Sequence, residues 1–375
     1  MIYFDQAATS FQKPQEVISA VQRAFFECAS VGRSGHSLSM RSGEIAYQTR
    51  LAASELFDTE PDRVVFTFNA THGLNIAIRS LVTEGDTVVI SGFEHNAVLR
   101  PLREIGAKII VAGTTLFDQK KIVSEFQNSI NSNVKAVICT HVSNVFGYIL
   151  PIDEIAQMCQ SFRVPFILDA SQSAGVLPIS MEKLRASYIA MPGHKGLYGP
   201  QGTGILLCGD IPKPLICGGT GANSMSDRMP EFLPDAAEAG THNIHGISGL
   251  YEGLRFIKQV GTEKILKHEK DLLSHLLTGI SQNRDFEYYR GNEMVQTGVL
   301  SMNHKSLDCE ELAEMLNNRQ IAVRAGLHCA PIAHYTAGTI HRGTVRISFS
   351  YFNTYEEVDY FLDQLGDVSR RRKTS

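Results

Sequence analysis

The chain has 375 residues, of which 43% are hydrophobic, and this is enough apolar material for a large core divided between two lobes. The formal net charge of −4 gives no electrostatic reason to expect binding to nucleic acid or to a membrane surface. We expect no signal peptide and no membrane helix, because no basic N-terminal stretch precedes an apolar one and no run reaches ~18 uncharged apolar residues. The seven cysteines are scattered and never spaced as CxxC, which argues against a disulfide framework or structural zinc and favours the reducing cytoplasm.

Strand-like and helix-like segments alternate between residues 64 and 168. Strand-like runs rich in Val, Ile and Phe cover residues 64–68, 87–90, 108–112, 134–140 and 165–168. Helix-like segments lie between them, at residues 74–82, 97–105, 119–130 and 152–162. This alternation predicts a mostly parallel sheet that is covered by helices.

The pattern changes after residue 240. Residues 250–260, 264–279, 309–318 and 355–365 have helical patterns, and residues 299–303 and 345–350 have strand-like ones. These elements predict a smaller α+β lobe. We therefore divide the chain into a large α/β domain over residues 15–255 and a small domain over residues 256–375, with residues 1–14 docked on the small domain.

Polar residues follow the predicted strands of the large domain. Because sites in parallel sheets form at the carboxyl ends of the strands, we expect these residues to converge on one edge of the sheet. The residues in question are Asn69, Glu94, His95, residues 141–144, Asp169, His194 and Lys195.

A lysine and an aspartate end two successive strands of this sheet. Lys195 follows an apolar run and precedes the glycine-rich residues 196–204, where a lysine is well placed to form an imine with an aldehyde cofactor. Asp169 ends the preceding apolar run, where a carboxylate can keep a pyridine nitrogen protonated. The pair predicts pyridoxal 5′-phosphate (PLP) as the cofactor. The alternatives are an ordinary surface lysine and an aspartate that caps a helix.

Short motifs occur in order along nearly the whole chain. They are residues 4–10 (FDQAATS), 94–95 (EH), 143–147 (SNVFG), 168–173 (LDASQS), 193–195 (GHK), 239–241 (AGT), 324–330 (RAGLHCA), 345–348 (VRIS) and 353–358 (NTYEEV). This set resembles the class V, fold-type I, PLP-dependent enzymes, and within them the cysteine desulfurase and selenocysteine lyase group. The resemblance implies a large domain with a mostly parallel seven-stranded sheet flanked by helices, and a smaller α+β C-terminal domain.

The resemblance implies a role for each residue of the cofactor site. Lys195 would hold the cofactor, Asp169 would pair with its pyridine nitrogen, and His95 would stack on its ring and take part in proton transfer. Asn144 and Gln172 would bind the ring oxygen, unless they satisfy backbone groups at turns instead. The phosphate ligands would be Ala70 and Thr71 at a helix N-terminus, His194, and Thr241 from a partner subunit, which implies a homodimer with shared active sites.

Cys329 decides the reaction. In the family it resembles, a thiolate at this position attacks the sulfur of the substrate and leaves as a persulfide, so the residue has to be exposed and partly ionised. The alternatives are a buried structural cysteine and a zinc site with His328, His334 and His341, although these residues match no compact ligand pattern.

The substrate-binding residues are predicted from the same resemblance. Arg346, in a strand, would bind the α-carboxylate in a bidentate manner, unless it forms a structural salt bridge. Arg324 and Asn144 would contribute polar contacts. His36, together with Arg33, would line the entrance to the site.

Three positions depart from the pattern of the resembled family. Pro192 stands where a phosphate-binding serine is usual, His72 where an acidic residue is usual, and Gln6 where Asn is common. The segment from Cys329 to Arg346 is also slightly longer than in the cysteine desulfurases that the chain resembles. We still expect PLP binding in spite of these departures. They leave open which substrate the protein uses and which protein accepts the sulfur.

The sequence therefore predicts a cytoplasmic, homodimeric, PLP-dependent cysteine desulfurase-like enzyme. It would convert L-cysteine to L-alanine with a persulfide on Cys329, with L-selenocysteine as an alternative substrate and a sulfur-acceptor protein as a partner. Neither a metal ion nor nucleic acid is expected. Two other functions stay open: another class V reaction on a small amino acid, such as transamination or β-elimination, and a non-catalytic scaffold in a sulfur-transfer complex.

Overall fold

The computed structural model describes residues 1–31, 34–222, 224–281 and 283–371. The strands are β1 Ile2–Tyr3, β2 Val64–Thr67, β3 Thr87–Ser91, β4 Lys108–Ala112, β5 Ala136–Thr140, β6 Phe166–Asp169, β7 Tyr188–Pro192, β8 Gly204–Cys208, β9 Phe286–Tyr289, β10 Val299–His304, β11 Ile321–Ala322, β12 Arg324–Gly326 and β13 Thr344–Ser348. The helices are α1 Gln15–Glu27, α2 Ser37–Phe57, α3 Ala70–Leu81, α4 Asn96–Ile105, α5 Gln119–Ser129, α6 Ile152–Phe162, α7 Met181–Leu184, α8 Ile244–Val260, α9 Thr262–Ile280, α10 Cys309–Asn317, α11 Pro331–Ala337 and α12 Tyr355–Arg371. None of the helices in these ranges has the length and apolar character needed to cross a bilayer.

Seven strands form the central sheet, in the order β2-β8-β7-β6-β5-β3-β4. Strands β4, β3, β5, β6 and β7 run parallel, and β8 runs antiparallel to both of its neighbours. Because helices cover both faces, β5, β6 and β7 are buried along their whole length and have continuous apolar sequences. The predicted fold, a mostly parallel seven-stranded sheet flanked by helices, is confirmed.

The sheet brings the polar residues together at one edge. Strands β3, β5, β6 and β7 are parallel neighbours, so the residues that follow them meet at the same edge. Strand β2 has the same direction, because it and β7 both pair antiparallel with β8. The loops after these five strands therefore build a single site.

Two long helices near the N-terminus, α1 and α2, pack against α8. The sequence patterns did not predict them. Helix α1 buries Val17, Ala20 and Ala24, whereas α2 buries small polar side chains such as Ser39 and Ser42. A buried helix face made of Ser, Thr and Ala gives little apolar periodicity, and this explains why the pattern was missed.

A second, antiparallel sheet in the order β12-β13-β10-β9 lies in the C-terminal part of the chain. The N-terminal segment packs beside it, because Asp5 forms a β-bridge with Ser348 of β13 and the fully buried Phe4 lies 5.1 Å from Phe349 and 5.7 Å from Phe361 between ring centroids. Strand β1 pairs with β11 in a separate two-stranded sheet. The expected domain boundary after residue 255 falls inside the continuous helix α8.

Candidate active site

Lys195 lies in a tight loop after β7. A side chain at Gly193 would come within 2.1 Å of Thr203 Oγ1, and one at Gly196 within 2.4 Å of the Ala174 carbonyl oxygen, so both positions require glycine. Burial lowers the pKa of Lys195 to about 8, although the nearby Asp169 carboxylate acts in the opposite direction. At neutral pH a useful fraction of this amine is therefore unprotonated and able to act as a nucleophile.

Asp169 and His95 lie beside this lysine. Asp169 ends β6, is only 2% exposed, and accepts a hydrogen bond from the Ser171 amide at 2.9 Å. His95 caps α4, and its Nδ1 accepts a hydrogen bond from the Ala97 amide at 3.0 Å. Burial lowers the pKa of His95 to about 4, against the opposing effect of Asp169. The neutral ring therefore carries its proton on Nε2.

Glu94, the residue before His95, is fully buried beneath the site. Its Oε1 accepts hydrogen bonds from the Thr140 amide at 2.7 Å and from the Ser91 hydroxyl, while Oε2 has no partner among the described residues. Burial raises the pKa of Glu94 to about 8, and the hydrogen bond from Ser91 opposes this shift. Glu94 is thus a largely neutral acid that joins the end of β3 to the end of β5.

Arg346 crosses from the second sheet into the site and is 1% exposed. Its Nη1 donates to the Asn144 carbonyl oxygen at 3.0 Å, and its Nη2 forms an ion pair with Asp5 Oδ1 at 2.5 Å. Its Nε is buried and has no partner within the described part of the chain. Each Nη therefore has one of its two N–H groups bonded to the protein, and the N–H of Nε is a donor that can bond to a ligand.

The two predicted amides both bond to backbone carbonyls. Asn144 Nδ2 donates to the His328 carbonyl oxygen at 2.8 Å, and Gln172 Nε2 donates to the Ala7 carbonyl oxygen at 2.9 Å. Each amide thus connects a loop of the central sheet to another segment. Asn144 holds the segment that carries Cys329.

The N-terminus of α3 lies at the same edge of the sheet. Asn69 caps the helix by accepting a hydrogen bond from the His72 amide at 2.9 Å, and Ala70 and Thr71 form the first turn. Thr71 is exposed. His72 stacks on Phe68 with 4.6 Å between ring centroids, and Pro192 is buried at the end of β7 without a hydroxyl to offer.

His194 has an unpaired atom facing the interior. Its Nδ1 is buried and has no hydrogen-bond partner among the described residues, while its carbonyl oxygen accepts from the Ser10 amide at 2.9 Å. Burial lowers the pKa of His194 to about 4, and Lys195 acts in the same direction. A buried polar atom of this kind is normally satisfied by a ligand or by water.

Cys329 lies on an exposed turn at the rim of the site. His328 and Cys329 both have left-handed backbone conformations, with φ of 52° and 56°. Arg324 Nη2 lies 3.7 Å from the sulfur of Cys329, and the Cys329 carbonyl oxygen accepts a hydrogen bond from the Asn96 amide at 2.8 Å. The turn is thus joined to the helix that His95 caps.

Two buried histidines support this turn. His328 Nε2 lies 3.1 Å from the Arg324 carbonyl oxygen, His328 Nδ1 lies 3.5 Å from His334 Nε2, and His334 Nδ1 lies 2.7 Å from Thr339 Oγ1. A carbonyl only accepts, so His328 donates to it from Nε2 and accepts from His334 at Nδ1. The two rings bond to each other and to the protein, which argues against their use as zinc ligands.

Two predicted residues, His36 and Thr241, are exposed and lie outside this group of buried side chains. His36 is exposed and caps α2, where its Nδ1 accepts from the Ser39 amide at 3.3 Å. Thr241 is exposed and lines a cavity with Phe68 and His72, next to the N-terminus of α3. Arg33 lies outside the described residues. The other predicted residues meet at the edge of the sheet.

The comparison with known protein families matches this arrangement. The model of the family described as aminotransferase class-V matches residues 2–361. The chain belongs to the class-V aminotransferase family. The family expected from the sequence motifs is confirmed, and the chain is an enzyme of that family.

Several similar members of the class-V aminotransferase family are named cysteine desulfurase. A probable cysteine desulfurase of Pyrococcus abyssi is 32% identical, over 100% of this chain and 96% of the relative. One of Methanothermobacter thermautotrophicus is 30% identical, over 98% and 94%. A solved structure of a cysteine desulfurase from Thermococcus onnurineus, described as apo, is 30% identical and covers 98% of this chain and 94% of its own, with a TM-score of 0.91.

The structure adds residues to this class-V site that the sequence analysis left without a role. Asp5 is the counter-ion of Arg346, and Glu94 supports the strand ends from below. His334 and Thr339 hold the turn of Cys329. Asp5 and Glu94 lie in motifs that were recognised, and a buried arginine in a strand is a signal that an acid lies nearby.

Proposed function

We propose that this class-V enzyme is a PLP-dependent cysteine desulfurase that converts L-cysteine to L-alanine and holds the sulfur as a persulfide on Cys329. L-Selenocysteine is the alternative substrate. The observation that carries the proposal is Cys329 itself, which is exposed, lies 3.7 Å from a guanidinium nitrogen, and sits on a turn bonded to the helix of His95. A structural cysteine needs none of these features.

The residues fit PLP. Asp169 provides a buried carboxylate for a pyridinium nitrogen, and Lys195 provides an amine whose pKa burial lowers to about 8. The unpaired Nδ1 of His194 and the free amide groups at the N-terminus of α3 suit the phosphate. When bound, PLP withdraws electrons from the Cα of the substrate.

Side chains of the protein bind the substrate, move its protons and accept its sulfur. Arg346 Nε binds the carboxylate of cysteine, with Asp5 holding the guanidinium in place. Lys195 Nζ removes the proton from the substrate Cα and returns it during formation of alanine. The sulfur of Cys329 attacks the sulfur of the substrate, so an S–S bond forms while the Cβ–S bond breaks. The electron pair of the Cβ–S bond stays with Cβ, and Cβ takes up the equivalent of the proton that the Cys329 thiol gave up to become the nucleophile.

We extend the proposal to a cytoplasmic homodimer. Thr241 is exposed in the single chain, and its motif resembles the one that reaches the phosphate of a partner subunit. Shared active sites would give the exposed side chains of Thr241 and Thr71 a common ligand. A sulfur-acceptor protein would then approach the exposed Cys329.

The test is to incubate the PLP-loaded protein with L-cysteine, quantify alanine, and locate any persulfide by intact mass and peptide mapping. We expect stoichiometric alanine and a persulfide on Cys329. The Cys329→Ser variant should release no alanine from cysteine. The control is Cys217→Ser, because Cys217 is the other exposed cysteine among the described residues.

Two other results of this experiment would support one of the alternative functions instead. Spectral changes of the cofactor with amino acids, without alanine or persulfide, would indicate another class-V reaction such as transamination or β-elimination. No turnover with any amino acid, together with a stable complex with a partner, would indicate a scaffold.

A further inference from the structure

Residues 4–10 of the N-terminal segment hold the backbone of the lysine loop. The carbonyl oxygen of His194 accepts hydrogen bonds from the Ser10 amide at 2.9 Å and from the Thr9 hydroxyl at 3.1 Å. The Ser10 hydroxyl lies 3.1 Å from this oxygen and 3.1 Å from the carbonyl oxygen of Lys195. The peptide groups before and after the Cα of Lys195 are therefore both bonded to Ser10.

The Ser10 hydroxyl has a defined direction. Ser10 is 5% exposed, and Lys13 Nζ lies 2.5 Å from its oxygen. Because an ammonium group only donates, the Ser10 oxygen accepts from Lys13, and its own proton is directed to the two carbonyl oxygens. Alanine at this position would lose that contact and keep only the amide bond to His194.

The same short segment is bonded to strand β13 at its other end. Asp5 Oδ1 forms the 2.5 Å ion pair with Arg346 Nη2, and the Ala7 amide donates to Ser348 Oγ at 2.9 Å. Between these contacts and Ser10 the chain turns, with the Ala8 amide donating to the Asp5 carbonyl oxygen at 3.0 Å. The turn thus connects the guanidinium of Arg346 to the loop of Lys195 through a few residues.

Lys195 and Arg346 belong to different sheets. Lys195 follows β7 of the central sheet, whereas Arg346 lies in β13 of the second sheet. An amino acid carries its amine and its carboxylate on one carbon, so a site that binds both groups has to hold their partners at a fixed separation. Neither sheet alone sets the separation between these two side chains, and the N-terminal segment bonds to both.

We propose that residues 4–10 set the spacing between Lys195 and Arg346, and that Ser10 is the positioning residue at the lysine end. The inference rests on the proposed function in one respect, that PLP is bound at Lys195. Ser10 acts through the backbone of the lysine loop and contacts neither substrate nor cofactor. Its loss lets the amine site shift relative to the unpaired Nε of Arg346, which is the donor for the carboxylate.

The test compares the affinity of the full-length, PLP-loaded protein for L-alanine and for ethylamine, measured by the visible absorbance of the bound cofactor. Ethylamine is L-alanine without its carboxylate, so it reports the amine site alone. In Ser10→Ala we expect the affinity for L-alanine to fall on the order of fivefold relative to that for ethylamine, the effect of about one hydrogen bond. A loss of stability alone would leave this ratio unchanged.

The matched control is Ser54→Ala. Ser54 is also buried, and its hydroxyl donates to the Leu51 carbonyl oxygen at 2.9 Å, within helix α2. This variant should keep the wild-type ratio of the two affinities. Ser10→Thr, which restores a hydroxyl at the position, should recover most of the ratio that Ser10→Ala loses.

A wild-type ratio in Ser10→Ala would overturn the proposal and leave Ser10 as a structural residue. If Ser10→Ala does not fold or does not bind PLP, Thr9→Val is the second test, because it removes another donor to the His194 carbonyl oxygen. We expect a fall of about twofold in its ratio, and an unchanged ratio would overturn the proposal. Failure of the wild-type protein to bind PLP would contradict the proposed function, and this inference with it.

Discussion

Replacing His334 by alanine should loosen the turn that carries Cys329. His334 is fully buried and joins Thr339 Oγ1, at 2.7 Å, to His328 Nδ1, at 3.5 Å. Burial lowers the pKa of His334 to about 4 and that of His328 to about 2, so both rings are neutral at pH 7. In this state each ring donates one hydrogen bond and accepts another, and the chain ends on the Arg324 carbonyl oxygen.

The magnitude follows from the bonds that are removed. The variant loses two hydrogen bonds at about 1 kcal/mol each and leaves His328 Nδ1 buried without a donor, at a further cost of about 1 kcal/mol or more. The total is about 3 kcal/mol. For a chain of 375 residues, an unfolding entropy of about 2.1 cal/mol/K per residue converts this loss into a fall in Tm of about 4 °C.

The local effect concerns the conformation of Cys329. The left-handed conformations of His328 and Cys329 cost about 1–2 kcal/mol each, and they persist because the neighbouring bonds hold the turn. In His334→Ala the turn can relax and move the sulfur away from Arg324. We expect alkylation of Cys329 by iodoacetamide to slow by on the order of threefold, because the sulfur loses its contact with Arg324 Nη2.

The assay has an internal reference. Peptide mapping after timed alkylation gives the rates for Cys329 and for the exposed Cys217 in the same sample, and their ratio cancels differences in reagent and pH. The control variant is His341→Ala, which removes an exposed histidine nearby. An unchanged Tm together with an unchanged ratio of rates in His334→Ala would refute the reasoning.

Two further predictions concern buried carboxyl groups. Glu238 accepts two hydrogen bonds from Arg50, at 2.9 and 2.6 Å, so Glu238→Gln should leave a buried guanidinium without its counter-ion and cost about 3 kcal/mol in urea unfolding; an unchanged midpoint would contradict this. The pKa of Glu94 is raised from 4.5 to about 8, so its contribution to stability is complete below pH 4.5 and is lost as the pH rises through about 8. Glu94→Gln should flatten the pH dependence of Tm in this range, and a slope equal to that of the wild-type protein would count against the assignment.

The central sheet could be predicted because its signals are local. Strands such as β6 and β7 are buried on both faces, so they appear as short apolar runs that end in polar residues. Strand β8 has the same composition, but its antiparallel direction depends on the path of the chain after Lys195. Helix α2 was missed since its buried face includes Ser39, Ser42 and Thr49, which contribute no apolar period.

The residues of the site also fall into two groups, those that short motifs identify and those that they do not. Lys195, Asp169 and Cys329 stand in short motifs that the sequence shows directly. The ion pair of Asp5 with Arg346 joins residues 341 positions apart, and nothing in the local pattern of either residue identifies the other. The roles of Thr241 and His36 stay predictions, because they depend on a partner subunit or on a substrate.

Glu269 interrupts the apolar pattern of helix α9. The buried face of α9 includes Ile265, Glu269, Leu272 and Leu276, at the spacing of four and three residues that defines one helical face. The acid therefore occupies a position where the period requires an apolar side chain. An ionisable group at such a position costs stability unless it is paired or neutral. Burial raises the pKa of Glu269 to about 8, so this carboxyl is largely neutral at pH 7. Arg346, in the buried strand β13, follows the same rule, and both exceptions lie against the site of Lys195.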